Sequence, residues 1–207
     1  MATQCCVWRD LVVGEPVGSP VRGARPTDVG GGRVRLMSSH PRDDLPSGES
    51  VGFQRTRATK RMGAGAVVRD GDGRVLVVKP TYKTVWELPG GAVEHDESPA
   101  AACERELREE LGLDLTVGAM LCVDYNAGTE DSVESLMFLF DAGILDDASV
   151  AAIRLDPAEL VECRFVSVAE ALELLDPRVG RRLTAALSSG GTSSVYLEDQ
   201  AVRRQTL

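Results

Sequence analysis

The stretch GGAVEHDESPAAACERELREELGL, residues 90–113, decides how this chain is read. Within it Glu106, Glu109 and Glu110 stand at i, i+3 and i+4. On a helix that spacing puts three carboxylates on one face, with Cβ atoms about 5–6 Å apart. Like charges so placed destabilise a helix by roughly 0.2–0.5 kcal/mol per pair. The helix is nevertheless well signalled. Ser98 is a good N-cap, because its hydroxyl can accept a bond from an otherwise unpaired helix amide. Pro99 follows at the first helical position, where a missing N–H costs nothing. Gly112 stands where a left-handed C-terminal residue is wanted. The spacing predicts one helix over 99–111 that buries Ala100, Cys103, Leu107 and Leu111. Arg105 can pair with Glu109 at i+4, and Arg108 adds a nearby positive charge. A solvated face would alternate Glu with Lys or Arg. Here the acids share one side, so helix geometry leaves two readings open, a charged surface or a cation site. Oxygen-only ligands suit Mg²⁺, Mn²⁺ or Ca²⁺. Mg²⁺ commonly takes one or two carboxylates plus waters and substrate phosphates.

Working outward, residues 63–70 (GAGAVVRD) read as a strand, and DGDG at 70–73 is a hairpin turn signal. RVLVVKP at 74–80 is the returning strand, and TVWELPGGAV at 84–93 is an extended piece broken by Pro89-Gly90-Gly91. Residues 115–126 and 132–143 read as a strand pair, and 162–168 as a further strand. Helical patterns follow over 168–175 and 177–187, and SVYLED is a candidate short edge strand. Strands, helices and hairpins mix without regular βαβ alternation, which predicts an α+β class. Three segments result: a disordered Gly/Pro/Arg-rich tail over 1–59, an ordered domain over 60–187 and a C-terminal tail over 188–207. A second reading of the first segment is that translation starts downstream, at Met37 or Met62.

The chain has 207 residues and a net charge of −9, unevenly spread. The basic excess lies before residue 62 and the acidic excess after it. An acidic body argues against general nucleic-acid binding, which needs a basic face. An anionic substrate would need cations as intermediaries. Five cysteines without a C-x-x-C argue against a disulfide framework or a zinc site, and read as reduced thiols of a cytoplasmic protein. Two histidines leave little room for His-based triads or multi-His metal sites. No apolar run approaches the roughly 20 residues of a membrane span. The start MATQCCVWRD does not look like a signal peptide.

The full spacing carries a family resemblance. Gly91, five residues, Glu97, seven residues, then Arg105-Glu106-Leu107-Arg108-Glu109-Glu110-Leu111-Gly112-Leu113 resembles the Nudix box, G-x5-E-x7-R-E-U-x-E-E-x-G-U, with U aliphatic. Every fixed position matches. WELPGG at 86–91 also resembles the family's approach to the box. The resemblance implies an α/β/α sandwich with a mixed central sheet over roughly 60–187. It implies a hydrolase that cleaves a diphosphate linkage in a nucleoside diphosphate joined to another group. It further implies Mg²⁺ or Mn²⁺ held by Glu106, Glu109 and Glu110, with Gly91 at the metals, and a homodimer as the common assembly.

On that resemblance Gly90 and Gly91 let backbone approach the helix and metals closely. Arg105 orients a glutamate, either Glu97 or Glu109. Glu97 helps fix the loop or metal waters, or plays a purely structural part. A general base is expected from outside the box, with Glu162 first by position and Glu159, Glu130 and Glu134 as alternatives. Glu110 as both ligand and base is a further option. Trp86 is read either as core or as a platform for the substrate's base. The proline common in ADP-ribose-cleaving members is replaced by Gly128 and Thr129, and Tyr125 lies too early for the dinucleoside polyphosphate pattern. The string linked to NADH cleavage is missing. A nucleoside triphosphate or nucleotide derivative is the default substrate. The alternative is a non-catalytic nucleotide-sensing module on the same fold. An isoprenoid diphosphate isomerase fits poorly, since that chemistry uses Cys and His.

Overall fold

The structure, a computed structural model, describes residues 59–203 apart from 131, 189, 191 and 192. The N-terminal tail expectation lies, but for Thr59, outside the described residues. β1 (Arg61–Asp70) and β2 (Val75–Pro80) leave a tight turn between them. The Asp70 carboxylate accepts the backbone N–H groups of Asp72 (3.1 Å) and Arg74 (2.9 Å), and Gly73 takes φ +76°. A side chain that caps its own turn, followed by a left-handed glycine, is what DGDG supplies.

β3 (Gly90–Ala92) leads into α1 (Pro99–Leu111). β4 (Met120–Asn126), β5 (Ser135–Leu145) and the short helix α2 (Asp147–Ala152) follow. Then come β6 (Leu160–Val166), α3 (Val168–Leu174), α4 (Pro177–Ser188), β7 (Val195–Glu198) and β8 (Ala201–Val202). The sheet order is β6-β2-β1-β5-β4-β7-β8, with β3 on β1. β1–β5 and β4–β7 are parallel and the other pairs antiparallel, so the sheet is mixed.

Helices cover both faces. Ala64, Ala66, Val68, Leu76, Val78 and Phe140 pack with Cys103, Leu107 and Leu111 of α1. Val67, Val75, Val77 and Leu139 pack with Leu175 and with Val179, Leu183 and Ala186 of α4. Side chains alternate across a strand, so β1 and β2 read as continuous apolar runs because both faces are buried. The expected α/β/α sandwich is therefore the observed architecture. Among the described residues no helix is long and apolar enough to cross a membrane.

Three elements differ from the sequence reading. β4 starts at Met120 because Leu115 and Val117 pack under α1, while the Val117 N–H binds the Glu104 carboxylate (3.0 Å). α2 has no counterpart in that reading, although Asp146 caps it through the Ser149 N–H (2.8 Å). The SVYLED segment is not the outermost strand. β7 lies between β4 and β8, and Gln200 in its hairpin turn donates its N–H to the buried Asp124 (3.0 Å).

Candidate active site

α1 forms where its caps dictate. Ser98 Oγ accepts the Ala101 N–H (3.2 Å), and Gly112 closes the helix at φ +67°. A Cβ at Gly112 would lie 3.3 Å from Arg154, so the segment after α2 packs tightly over the helix end. Ala102, Cys103, Leu107 and Leu111 are buried, and Glu110 is buried with them at 7% exposure. That burial separates Glu110 from an ordinary surface acid.

Glycines bring backbone against these acids. The Gly90 N–H donates to Glu110 Oε2 (2.9 Å). Gly90 takes φ +139°, and a Cβ there would stand 2.3 Å from the Ala64 carbonyl oxygen. A Cβ on Gly91 would stand 2.3 Å from Glu106 Oε1. β3 thus lies between β1 and the carboxylate face of α1, at a distance only glycine permits.

Arg105 is the hub of the remaining acids. Its Nε and Nη2 grip Glu97 as a bidentate pair (3.0 and 3.1 Å). Nη2 also donates to the Ala92 carbonyl (2.9 Å), and Nη1 to Glu106 Oε1 (2.8 Å) and Glu109 Oε2 (3.0 Å). All five guanidinium donors are thereby used. The hydrogen bond to Glu97 leads in raising the Arg105 pKa, and the same pairing holds Glu97 below the usual carboxylate range. Arg105 is thus bonded to Glu97 and Glu109 together, and to Glu106 as well. Glu97 also accepts the Glu94 N–H (3.0 Å), which ties the loop before α1 to the arginine.

A third element completes the cluster. One carboxylate oxygen from each of Glu106, Glu110 and Glu159 lies within 4.8 Å of the others. Glu159 arrives through a stitched turn. Arg154 N–H binds the Leu111 carbonyl (2.8 Å) and Asp156 N–H the Glu110 carbonyl (3.3 Å). Asp156 caps Ala158 (2.8 Å), and the Thr81 N–H holds the Glu159 carbonyl (2.8 Å). Burial pushes Glu110 well above its ordinary pKa, against the Gly90 N–H, and Glu106, Glu159 and Glu87 push the same way. Burial also raises Glu106, against the pull of Arg105. Three converging carboxylate oxygens form a hard, all-oxygen donor set, and a divalent cation fits it.

The structure does not bring every candidate together. Glu109 is more than half exposed, and it lies on Arg105 rather than among the three converging oxygens. Glu162 does not join them either. In β6 it pairs with Lys79, while Cys163 and Phe165 pack on the α1 face. Alternation sends Glu162 and Arg164 to the opposite face, where they bond each other (2.6 Å). Arg164 holds the Glu162 carboxyl below its usual range. Glu134 is paired to Lys60 (2.5 Å) and Tyr125 (2.9 Å). Trp86 belongs to the core on the α4 face at 8% exposure, with the Arg164 guanidinium 4.8 Å from its ring centre. Sequence reading gave no special place to Glu87. It is 3% exposed, bonded to Lys83 Nζ (2.5 Å), and burial outweighs that lysine to push it up to about 7. A charged residue between Trp86 and Leu88, both apolar, was the only local signal for it.

A NUDIX domain model matches residues 59–187. A MutT-like protein from Streptomyces ambofaciens is 40% identical over 75 residues, 36% of this chain and 47% of that protein. The chain thus spans about half the length of that relative. A CMP-5'-(N-acetyl-N-hydroxy-3-aminopropyl)phosphonate hydrolase from Streptomyces rubellomurinus is 31% identical over 153 residues, 71% of this chain and 69% of that protein. Among solved structures, a MutT protein from Methanosarcina mazei Go1 superposes with a TM-score of 0.52 at 23% identity, covering 65% of this chain and 97% of that one. That last likeness is one of fold.

Proposed function

The chain belongs to the NUDIX family of hydrolases, and on that premise we propose that it cleaves a diphosphate linkage in a nucleoside diphosphate joined to another group. The observation that carries the reading is the convergence within 4.8 Å of Glu106 and Glu110, like charges otherwise unfavourable on α1, with Glu159 from the turn before β6. The relative from Streptomyces rubellomurinus, by its name, hydrolyses a CMP-linked phosphonate, a nucleotide carrying a further group. A nucleotide derivative or nucleoside triphosphate is the substrate class we assign.

Glu106 and Glu110 would hold Mg²⁺ or Mn²⁺, with Glu159 facing them from the turn before β6. A bound divalent cation supplies charge neutralisation for phosphate oxygens and a lowered pKa for water. The protein's own part is positioning. Gly90 N–H fixes one Glu110 oxygen, and Arg105 fixes Glu106 while holding Glu109 at the rim. Glu159, half-buried and outside the helix, accepts the proton of the attacking water. Glu97 acts through Arg105 by locking its guanidinium. Positioning and charge stabilisation carry most of phosphoryl chemistry, so rigid side chains suffice.

The test is a panel of nucleotides with Mg²⁺, assayed for released phosphate and pyrophosphate. Hydrolysis by the wild type and its loss in Glu110→Gln are expected. Hydrolysis that Glu110→Gln retains at full rate overturns the assignment.

A further inference from the structure

The carboxylate cluster accounts for the diphosphate end of a substrate and leaves the nucleoside end unassigned. The aromatics of the described residues narrow where that end can rest. Phe138, Phe140 and Phe165 all pack in the core on the α1 face, the first two stacked with centroids 6.5 Å apart. Trp86 is buried. Tyr125 is bonded to Glu134, the residue before β5. Tyr196 is 43% exposed, but β7 is four strands from β2 across the sheet. Tyr82 differs from all of these, being 49% exposed and next in sequence to Thr81. Thr81 is bonded twice to the Glu159 turn, from N–H to the Glu159 carbonyl (2.8 Å) and from Oγ1 to the Ala158 carbonyl (3.1 Å).

The ring is also held in place. Lys83 Nζ lies 5.3 Å from the Tyr82 ring centre and is bonded to the buried Glu87. A loop pinned at Thr81 and at Lys83 presents the tyrosine between them with little freedom left to lose on binding. Base–aromatic stacking tolerates any base, because each has a π-face. A cation on one side of the ring strengthens such a platform.

Resting on the reading of the site as a nucleotide hydrolase, we propose that Tyr82 is the stacking platform for the nucleobase of the substrate. The ligand class is a nucleoside 5'-phosphate whose phosphate reaches the carboxylate-bound cation while its base lies on the ring. Discrimination among bases is weak at this contact, since stacking reads no hydrogen-bonding edge.

The experiment is calorimetric binding with Mg²⁺ present, using the four common nucleoside 5'-monophosphates and ribose 5-phosphate as probes. It needs no turnover, so a failed hydrolysis panel and a failed platform are told apart. At least one nucleoside monophosphate is expected to bind about tenfold more tightly than ribose 5-phosphate, the order of one base–aromatic contact. Tyr82→Ala is expected to abolish that gap and leave ribose 5-phosphate unchanged, and Tyr82→Trp to keep it. A gap that survives Tyr82→Ala, no gap in the wild type, or an equal loss for both ligand types overturns the proposal.

Discussion

The backbone N–H of Gly90 and the carboxylate of Glu110, twenty positions apart, meet at 2.9 Å. This bond joins a strand that is glycine by necessity to a helix face that is acidic against its own stability. It holds a buried carboxylate in one orientation before any ligand arrives.

The two glycines before α1 should fail differently. Gly90→Ala would place a Cβ 2.3 Å from the Ala64 carbonyl oxygen, at a backbone angle of φ +139°. Backbone strain alone costs at least about 1–3 kcal/mol, so chemical denaturation should show a large loss of stability. Gly91→Ala meets instead the end of the Glu106 side chain at 2.3 Å, which can swing away. Its stability should fall little while hydrolysis falls strongly.

Glu159 and Glu162 stand three residues apart and separate cleanly in a rate assay. Glu159→Gln should lower kcat by about 10²–10⁴-fold, the usual range for a lost general base. Glu162→Gln breaks only the exposed pair with Arg164 and should leave kcat essentially unchanged.

Arg105→Lys keeps the charge but not the fork. A lysine cannot grip Glu97 with two bonds while also reaching Ala92, Glu106 and Glu109. Hydrogen bonds to charged groups are worth about 1.5–3 kcal/mol when buried, and less here because Arg105 is partly exposed. A loss of about 1–3 kcal/mol in urea unfolding is expected, together with weaker Mg²⁺ binding.

Stability without metal should fall as pH rises. Glu87 titrates at about 7 in the folded chain against an ordinary 4.5, so between those values the folded state holds a proton that the unfolded chain has released. The unfolded chain therefore gains on the folded one across that window, and the stabilisation present below it is lost by its upper end. The effect is on the order of a few kcal/mol. Thermal melts in chelator from pH 4.5 to 7 should show the decline, and Glu87→Gln should flatten it.

Mg²⁺ should raise the melting temperature, because it binds the folded cluster in preference to the unfolded chain. The gain is about 2.7 kcal/mol when free Mg²⁺ is about 100 times Kd. Glu106→Gln should remove most of it. An unchanged melting temperature across millimolar Mg²⁺, with and without nucleotide, would count against the cation site.

Much of this was legible along the chain because the rules are local. Ser98, Pro99 and Gly112 set the ends of α1, since caps act on the nearest amides and carbonyls. The spacing of Glu106 and Glu110 places them on one face, and DGDG turns the first hairpin. The same locality explains the oversight of α2, where Asp146 offered a cap but six residues offered little periodicity.

Tertiary structure alone chose between neighbours that sequence could not rank. The register of β6 on β2 sets Glu162 opposite Lys79, and strand alternation then turns it to the face away from α1. Glu159 escapes that alternation by lying in the turn before the strand, where bonds from Thr81, Arg154 and Asp156 carry it to Glu110. Trp86 became core, and Arg105 gathered three glutamates and a carbonyl, through packing between segments distant in sequence. Such choices depend on which segments meet and in what register, and no short window of sequence contains that information.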